Sequence, residues 1–354
     1  MRQLTELPLH TGRAPRWLFG RMTRLGGAIA NVIIEEYGAD ELLHRLSDSN
    51  WFQSLSCAIG YDWHSSGTTT VTMGALKEAL KGDPDIVIAG GKGKAGINTP
   101  GDIVAGSDRL SIPSESEKFV ELSRLSAKVD ASMVYDNIGI YHHSFMFTKS
   151  RKWGVVQQAM NNSTGMALRF QWFSETLDHE DITNEPHSGI SGTGGLQTVD
   201  LTYAANSWVK PASIELLPDI AEGRIKYPKR HAIMPREDLT EHGINMLKAA
   251  NEMGPRDYRE FLLIKGVGRA TIRSLAIISS LIYEKELAGR DPVAYAYNLG
   301  GKDKIPYEIN RRTYDSVIEE MEHMVDMSNV SMEEKYRSLR SLGRLMSKAA
   351  TKQV

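Results

Sequence analysis

Apolar positions recur at helical spacing through residues 17–46, where Leu18, Met22, Leu25, Ile29, Ile33 and Ile34 form a stripe and Gly38 supplies a stop. The stripe predicts a core-facing helix. After a polar stretch, Leu76 and Leu80 mark a second helical segment that Gly82-Asp83-Pro84 breaks. From Asp85 the period shortens: Ile86-Val87-Ile88-Ala89, Met133-Val134-Tyr135, Ile138 to Phe147 and Trp153 to Gln158 read as strands. Between them, Glu115 to Lys128 reads as a helix with Phe119, Leu122 and Leu125 on one face. Residues 178–213 carry little periodicity and much Gly, Ser, Thr and Asn, and they read as long ordered loops because Tyr203 and Trp208 need packing partners.

The texture changes again at Gly223 to Pro235, where two prolines and four basic residues fall within thirteen positions. Beyond it, residues 238–288 and 312–350 show helical spacing and almost no strand signal. The expected fold is therefore α+β. A mixed α/β domain spans 1–222, a basic proline-containing linker 223–236 and an all-α domain 237–354.

Composition narrows the class. The chain has 354 residues, 41% hydrophobic and 24% charged, which is ordinary for a globular protein of more than one domain. No run approaches the roughly 18 apolar residues of a membrane span. The N-terminus lacks a secretory pattern and the single Cys57 cannot form an intrachain disulfide, so the expected location is the cytoplasm, without a membrane partner. With 42 basic against 44 acidic residues, only local clustering can indicate a polyanionic partner.

The sharpest cluster is Phe261-Leu262-Leu263-Ile264-Lys265-Gly266-Val267-Gly268-Arg269-Ala270-Thr271-Ile272-Arg273, which resembles a helix-hairpin-helix motif. Gly266 and Gly268 permit a tight turn, Val267 can bury between the helices, and the turn's N–H groups can face a phosphate, with a monovalent cation assisting in proteins of this kind. Lys265, Arg269 and Arg273 add positive charge, as do Arg311-Arg312 and six basic residues without an acidic one between Lys335 and Lys352. Such contacts hold DNA without reading its sequence. The competing reading is a short structural connection between two helices. A base-excision glycosylase assignment lacks its catalytic residues, since Ala270 and Thr271 follow Arg269 and Asn310 stands where an Asp is sought.

Polar constellations lie nearer the N-terminus. Arg13 and Arg16 precede the first helix, and Lys92 and Lys94 sit in a glycine-rich loop after a predicted strand, both suited to phosphate. The loop lacks the Gly-Lys-Ser/Thr ending of a Walker motif. His142 and His143 end a predicted strand, and with Asp62, His64, Gln157 and Gln158 they make a candidate phosphodiesterase site. The histidines loosely resemble the motif of phospholipase-D-like nucleases, with Ser144 in place of its Lys and Lys149 in place of its Asp. In the metal-dependent version, Asp62, His64, Asp130, Asp136 and His187 are candidate ligands for Mg, Mn or Zn. The bland alternative puts one histidine in the core and the other in solvent, because a strand alternates faces.

Taken together, residues 9–17, Asp62-Trp63-His64-Ser65-Ser66-Gly67, Gly90-Gly91-Lys92-Gly93-Lys94, Tyr141-His142-His143, Val155-Val156-Gln157-Gln158 and Glu185-Pro186-His187-Ser188 resemble the archaeal and bacterial family called domain of unknown function 763, over about the whole chain. The resemblance implies an archaeal or bacterial cytoplasmic protein and carries no established reaction. The residues themselves point to a DNA-binding nuclease of repair or recombination, compatible with a homo-oligomer. The alternatives are a noncatalytic DNA-binding scaffold or architectural protein, and RNA in place of DNA.

Overall fold

In the computed structural model the described residues are 16–60, 66–135, 138–161, 165–178, 181–192, 197–225 and 241–293, with isolated positions between 323 and 335. The first apolar stripe forms α1 (Arg16–Tyr37), which Gly38 ends at φ +92° before α2 (Ala39–Ser47) begins. A third helix, α3 (Ser49–Ala58), starts where the Asp48 side chain accepts the Trp51 N–H at 2.7 Å. Its alternation of Ser, Asn and Gln with Trp, Phe and Leu hid it from a periodicity search. The second predicted helix is longer than expected, as α4 (Ser66–Ala79).

The strands β1 (Ile86–Lys92), β2 (Ile138–Thr148), β3 (Trp153–Asn161), β4 (Ala167–Phe173) and β5 (His187–Ser191) form one five-stranded antiparallel sheet in the order β1-β2-β3-β4-β5. Between β1 and β2 run α5 (Lys94–Ile97), α6 (Thr99–Arg109) and α7 (Ser116–Val129). Period-two alternation divides the sheet into two faces. Ile86, Ile88, Met146, Val156 and Phe173 pack with Met22, Ile29, Leu42, Phe52 and Leu76 of α1 to α4. Val87, Phe145, Phe147, Trp153, Val155 and Trp172 pack with Phe119 and Leu122 of α7 on the other face.

Two strand assignments change. Met133-Val134 belongs to a π-helical turn, Asp130–Val134, that continues α7 and buries both side chains. The loop-like region instead supplies β5 and the short β6 (Thr198–Val199), followed by α8 (Val209–Ala221).

Beyond the expected boundary come α9 (Glu241–Met253), α10 (Tyr258–Leu263), α11 (Arg269–Ile282) and β7 (Gly289–Arg290). The structure is thus mixed α and β. Most of the expected linker, from residue 226 onward, lies outside the described residues, as do Arg311, Arg312 and the basic run beyond Lys335. On its far side, Leu247, Phe261, Val267, Leu275 and Ile278 enter the same apolar cluster as Phe119, Phe145 and Leu216. β7 pairs with β6, matching Arg290 to Thr198. The helices after residue 240 therefore share a core with the sheet and carry a short strand of their own.

Candidate functional site

His142 and His143 are neighbours on β2 and project to opposite faces, so the two pairs expected to form one site, His142/Gln158 and His143/Gln157, are separated by the sheet itself. Each histidine lies directly across from its glutamine on β3.

On the α7 face, His143 is fully committed. Its Nδ1 lies 2.8 Å from Gln157 Oε1 and its Nε2 2.8 Å from Ser123 Oγ on α7. Gln157 Nε2 donates to Ser126 O at 3.2 Å and to Asp130 Oδ2 at 2.5 Å, which fixes the amide's orientation and places the His143 proton on Nδ1. Asp130, wholly buried in the π-helical turn, also accepts from Trp172 Nε1 at 3.1 Å and sits 2.7 Å from His187 Nε2 on β5. Burial pushes the Asp130 carboxyl above its ordinary range, against the opposing pull of His187, Trp172 and Gln157. Burial holds His143 down to about 4, with the Gln157 bond pulling the other way. This chain of bonds, Ser123–His143–Gln157–Asp130–His187, braces α7 to β2, β3 and β5. Both nitrogens of His143 are occupied, so it has none with which to attack phosphorus, and Gln157 has no donor left for a phosphate.

The opposite face differs. A row of directly paired residues crosses the sheet from its β1 edge: Lys92, His142, Gln158, Arg169 and Ser191. Lys92 is exposed, whereas His142, Gln158 and Arg169 are buried under the helical layer. Arg169 donates to Ser49 O at 3.2 Å and stacks on Phe52 of α3 at 4.5 Å. His142 Nε2 contacts Ser144 Oγ at 3.0 Å, but its Nδ1 is buried without a partner. Neither amide atom of Gln158 has a partner, nor do Gln53 Oε1 on α3 and Thr69 Oγ1 on α4. Leaving such atoms unpaired costs roughly 1–3 kcal/mol each, and His142 and Gln158 are the adjacent pair in this row that carries them. Burial, then the charges of His143, Lys92 and Lys77, hold His142 down to about 3, so its imidazole is neutral at pH 7.

The edge of this row is rigid. Lys77 on α4 donates to Gly90 O and to Asp102 Oδ2, both at 2.6 Å, and Gly90 N–H donates to the same carboxylate at 3.0 Å. Gly90 has φ +86°, and a Cβ there would lie 2.3 Å from His143 O and 2.5 Å from Thr99 Oγ1. Its glycine is thus required by the close packing of β1 on β2 and α6. Lys92 and Lys94 remain exposed beyond it.

In the helical hairpin, Gly266 turns the chain at φ +96°, Val267 is buried and Gly268 starts α11 without a side-chain cap. Lys265 and Gly266 are exposed. The two arginines behave otherwise. Arg273 is wholly buried and donates to Val199 O at 3.1 Å and Met133 O at 3.4 Å. Arg269 is half-buried and donates to Ile138 O at 2.9 Å. Lys128 of α7 donates to Val267 O, and burial lowers its pKa. The expected phosphate role of Arg273 is corrected accordingly, because its guanidinium ties α11 to the π-helical turn and β6.

Arg13, Asp62, His64 and Asp136 lie outside the described residues. Arg16 begins α1 and is exposed. Of the candidate metal ligands, the structure brings Asp130 and His187 together, bonded to each other. Among the described residues no three His, Cys, Asp or Glu side chains are grouped to hold an ion. Sequence reasoning missed Ser123, Trp172 and Arg169, whose partners come from distant elements with no local spacing to reveal them. Among the described residues no helix is long and apolar enough to cross a membrane. No curated protein and no solved structure matches the chain. A family model does match, over residues 3–309, and the chain belongs to that family, described as protein of unknown function (DUF763).

Proposed function

We propose that the protein binds the phosphate backbone of DNA through a helix-hairpin-helix and processes phosphodiester bonds, as a nuclease of repair or recombination. The observation that carries the DNA-binding reading is the α10–α11 turn, in which Val267 is buried beneath while Lys265 and Gly266 face outward beside the uncapped N-terminus of α11. Free N–H groups and a cation at a helix start suit a phosphate oxygen. The contact set is Lys265, Gly266 and Gly268, with Arg269 at its margin.

The catalytic reading is supported by His142 and Gln158, which are paired across β2 and β3, carry unpaired buried polar atoms and stand in the row that ends at the exposed Lys92. With its pKa near 3, His142 has no proton to give a leaving oxygen at pH 7, which removes it as a general acid. A neutral imidazole is instead a hydrogen-bond acceptor or a ligand for a divalent ion such as Mg, Mn or Zn. We favour the metal-dependent version over histidine attack on phosphorus because attack by His142 would need a second histidine to protonate the leaving oxygen, and His143 lies on the other face of the sheet with both ring nitrogens bonded.

The test is a cleavage assay with full-length protein on single-stranded, duplex and branched DNA, with EDTA and with each metal restored, alongside salt-dependent binding by anisotropy. Cleavage that needs a metal and is lost in His142→Ala and Gln158→Ala with binding retained supports the reading. DNA binding without cleavage by the parent on any substrate leaves a noncatalytic DNA-binding scaffold. Loss of binding to an RNA competitor at equal concentration would reassign the nucleic acid.

A further inference from the structure

The first turns of α1 carry an unusual surface. From Arg16 to Ile34 the helix contains three arginines and no acidic residue, although the whole chain has a net charge of -2. Arg16, Trp17, Gly20, Arg21 and Arg24 are exposed, and their spacing sets them on one stripe of the helix. Trp17 is 63% exposed, more than any other described Trp, Phe or Tyr, and the Arg21 guanidinium lies over its ring at 5.4 Å. Among the described residues neither Arg16 nor Arg21 is in an ion pair. The opposite face of α1, with Met22, Leu25, Ile29 and Ile33, is buried in the core, so the stripe is presented on a fixed support.

We infer that this face is a contact for single-stranded nucleic acid, with one base stacked on the side of Trp17 not covered by Arg21 and the flanking phosphates at Arg16 and Arg21. An indole ring accepts any base, and arginines beside it neutralise the backbone, which is how sequence-tolerant single-strand sites are built. A duplex offers no free base face to an indole standing on a helix surface. A membrane is the poorer fit, since α1 keeps its apolar face in the core and leaves one aromatic ring to insert. The stripe and the row on the sheet are both anchored by α4: Phe19 packs over Gly74, and Lys77 one turn later holds Gly90. The inference rests on the reading that the chain binds nucleic acid and names the form of strand that one of its surfaces takes.

The experiment measures anisotropy of labelled oligo-dT and of a duplex of equal length against the full-length parent, Trp17→Ala, Trp17→Phe, Arg21→Glu and Lys265→Glu. Trp17→Ala is expected to weaken oligo-dT binding about tenfold and duplex binding less than about twofold, with Trp17→Phe restoring most of the loss. Arg21→Glu should act in the same direction and steepen with falling salt. Unchanged oligo-dT affinity in both variants, while Lys265→Glu still impairs duplex binding, overturns the inference and leaves the hairpin reading standing. A parent that binds neither oligonucleotide overturns both, and Trp17-dependent binding to anionic phosphatidylserine vesicles without oligo-dT binding reassigns the face to membranes. Thermal melting of each variant checks that the exposed substitutions leave the fold intact.

Discussion

His187 Nε2 and Asp130 Oδ1 lie 2.7 Å apart, bringing together a residue of β5 and one of the π-helical turn 57 positions earlier. Asp130 is the common acceptor for His187, Trp172 and Gln157, which come from three different strands. Asp130→Ala leaves three buried donors without their acceptor and should cost roughly 3–5 kcal/mol. Asp130→Asn keeps an acceptor oxygen and should cost less. Urea denaturation of both variants checks the order.

The histidines make stability depend on acid. His142 and His143 are held down to about 3 and about 4, below the ordinary 6.5, so the folded state resists their protonation. The sign follows from linkage: the unfolded chain binds these protons first, so their contribution is complete above pH 6.5 and is lost as pH falls through the folded values. Each shift corresponds to roughly 3–5 kcal/mol. Asp130, raised by burial, acts in the opposite sense, its contribution being present at low pH and lost as pH rises through its folded value. Melting temperature measured from pH 7.5 to 4 should fall on acidification, and His143→Gln should flatten that slope.

Gly90→Ala tests the packing at the sheet edge. Its Cβ would lie 2.3 Å from a backbone carbonyl at a φ of +86°, so neither rotamer adjustment nor backbone preference can absorb it. A loss of roughly 2–4 kcal/mol is expected. A melting temperature within one degree of the parent would show that β1 shifts freely against β2.

Arg273 and Lys265 should separate in their effects, although only eight positions divide them. Arg273→Met removes a buried donor to two carbonyls and is expected to destabilise by roughly 2–4 kcal/mol. Lys265→Glu, on an exposed side chain, should leave stability within about 0.5 kcal/mol of the parent and weaken DNA binding at low salt. Melting and anisotropy on the same preparations distinguish the two.

A protease nick between residues 226 and 240 should leave the two fragments associated. Phe261, Val267 and Leu275 pack in the same cluster as Phe119 and Phe145, and Arg269 and Arg273 donate to carbonyls on the other fragment. Co-elution in size-exclusion chromatography after nicking is the expected outcome. Separate elution without denaturant would restore an independently packed C-terminal domain.

The sheet was legible where the chain alternates or runs apolar, as at Ile86 to Ala89 and Trp153 to Gln158. β4 was not, because Arg169 and Gln171 interrupt the aromatic residues of Ala167–Phe173 and their burial depends on Ser49, Leu46 and Phe52 far upstream. Met133-Val134 failed for a related reason: two buried apolar residues suit a strand or a helical turn equally, and the preceding α7 decides. In the site, residue types were readable and their grouping was not. His142 and His143 suggested one centre, and strand alternation placed them on opposite sides of the sheet.

The donors that clamp the hairpin define a fixed distance within the molecule. Lys128 grips the Val267 carbonyl, Arg269 reaches the first residue of β2, and Arg273 reaches the turn holding Asp130. The hairpin therefore cannot swing relative to the strand that carries His142 without breaking these bonds at the C-terminal end of α7. A nucleic acid gripped there would be offered to the sheet at a set offset along its length, so the protein would behave as a caliper. Any product it made would have a uniform distance between the gripped phosphate and the processed one.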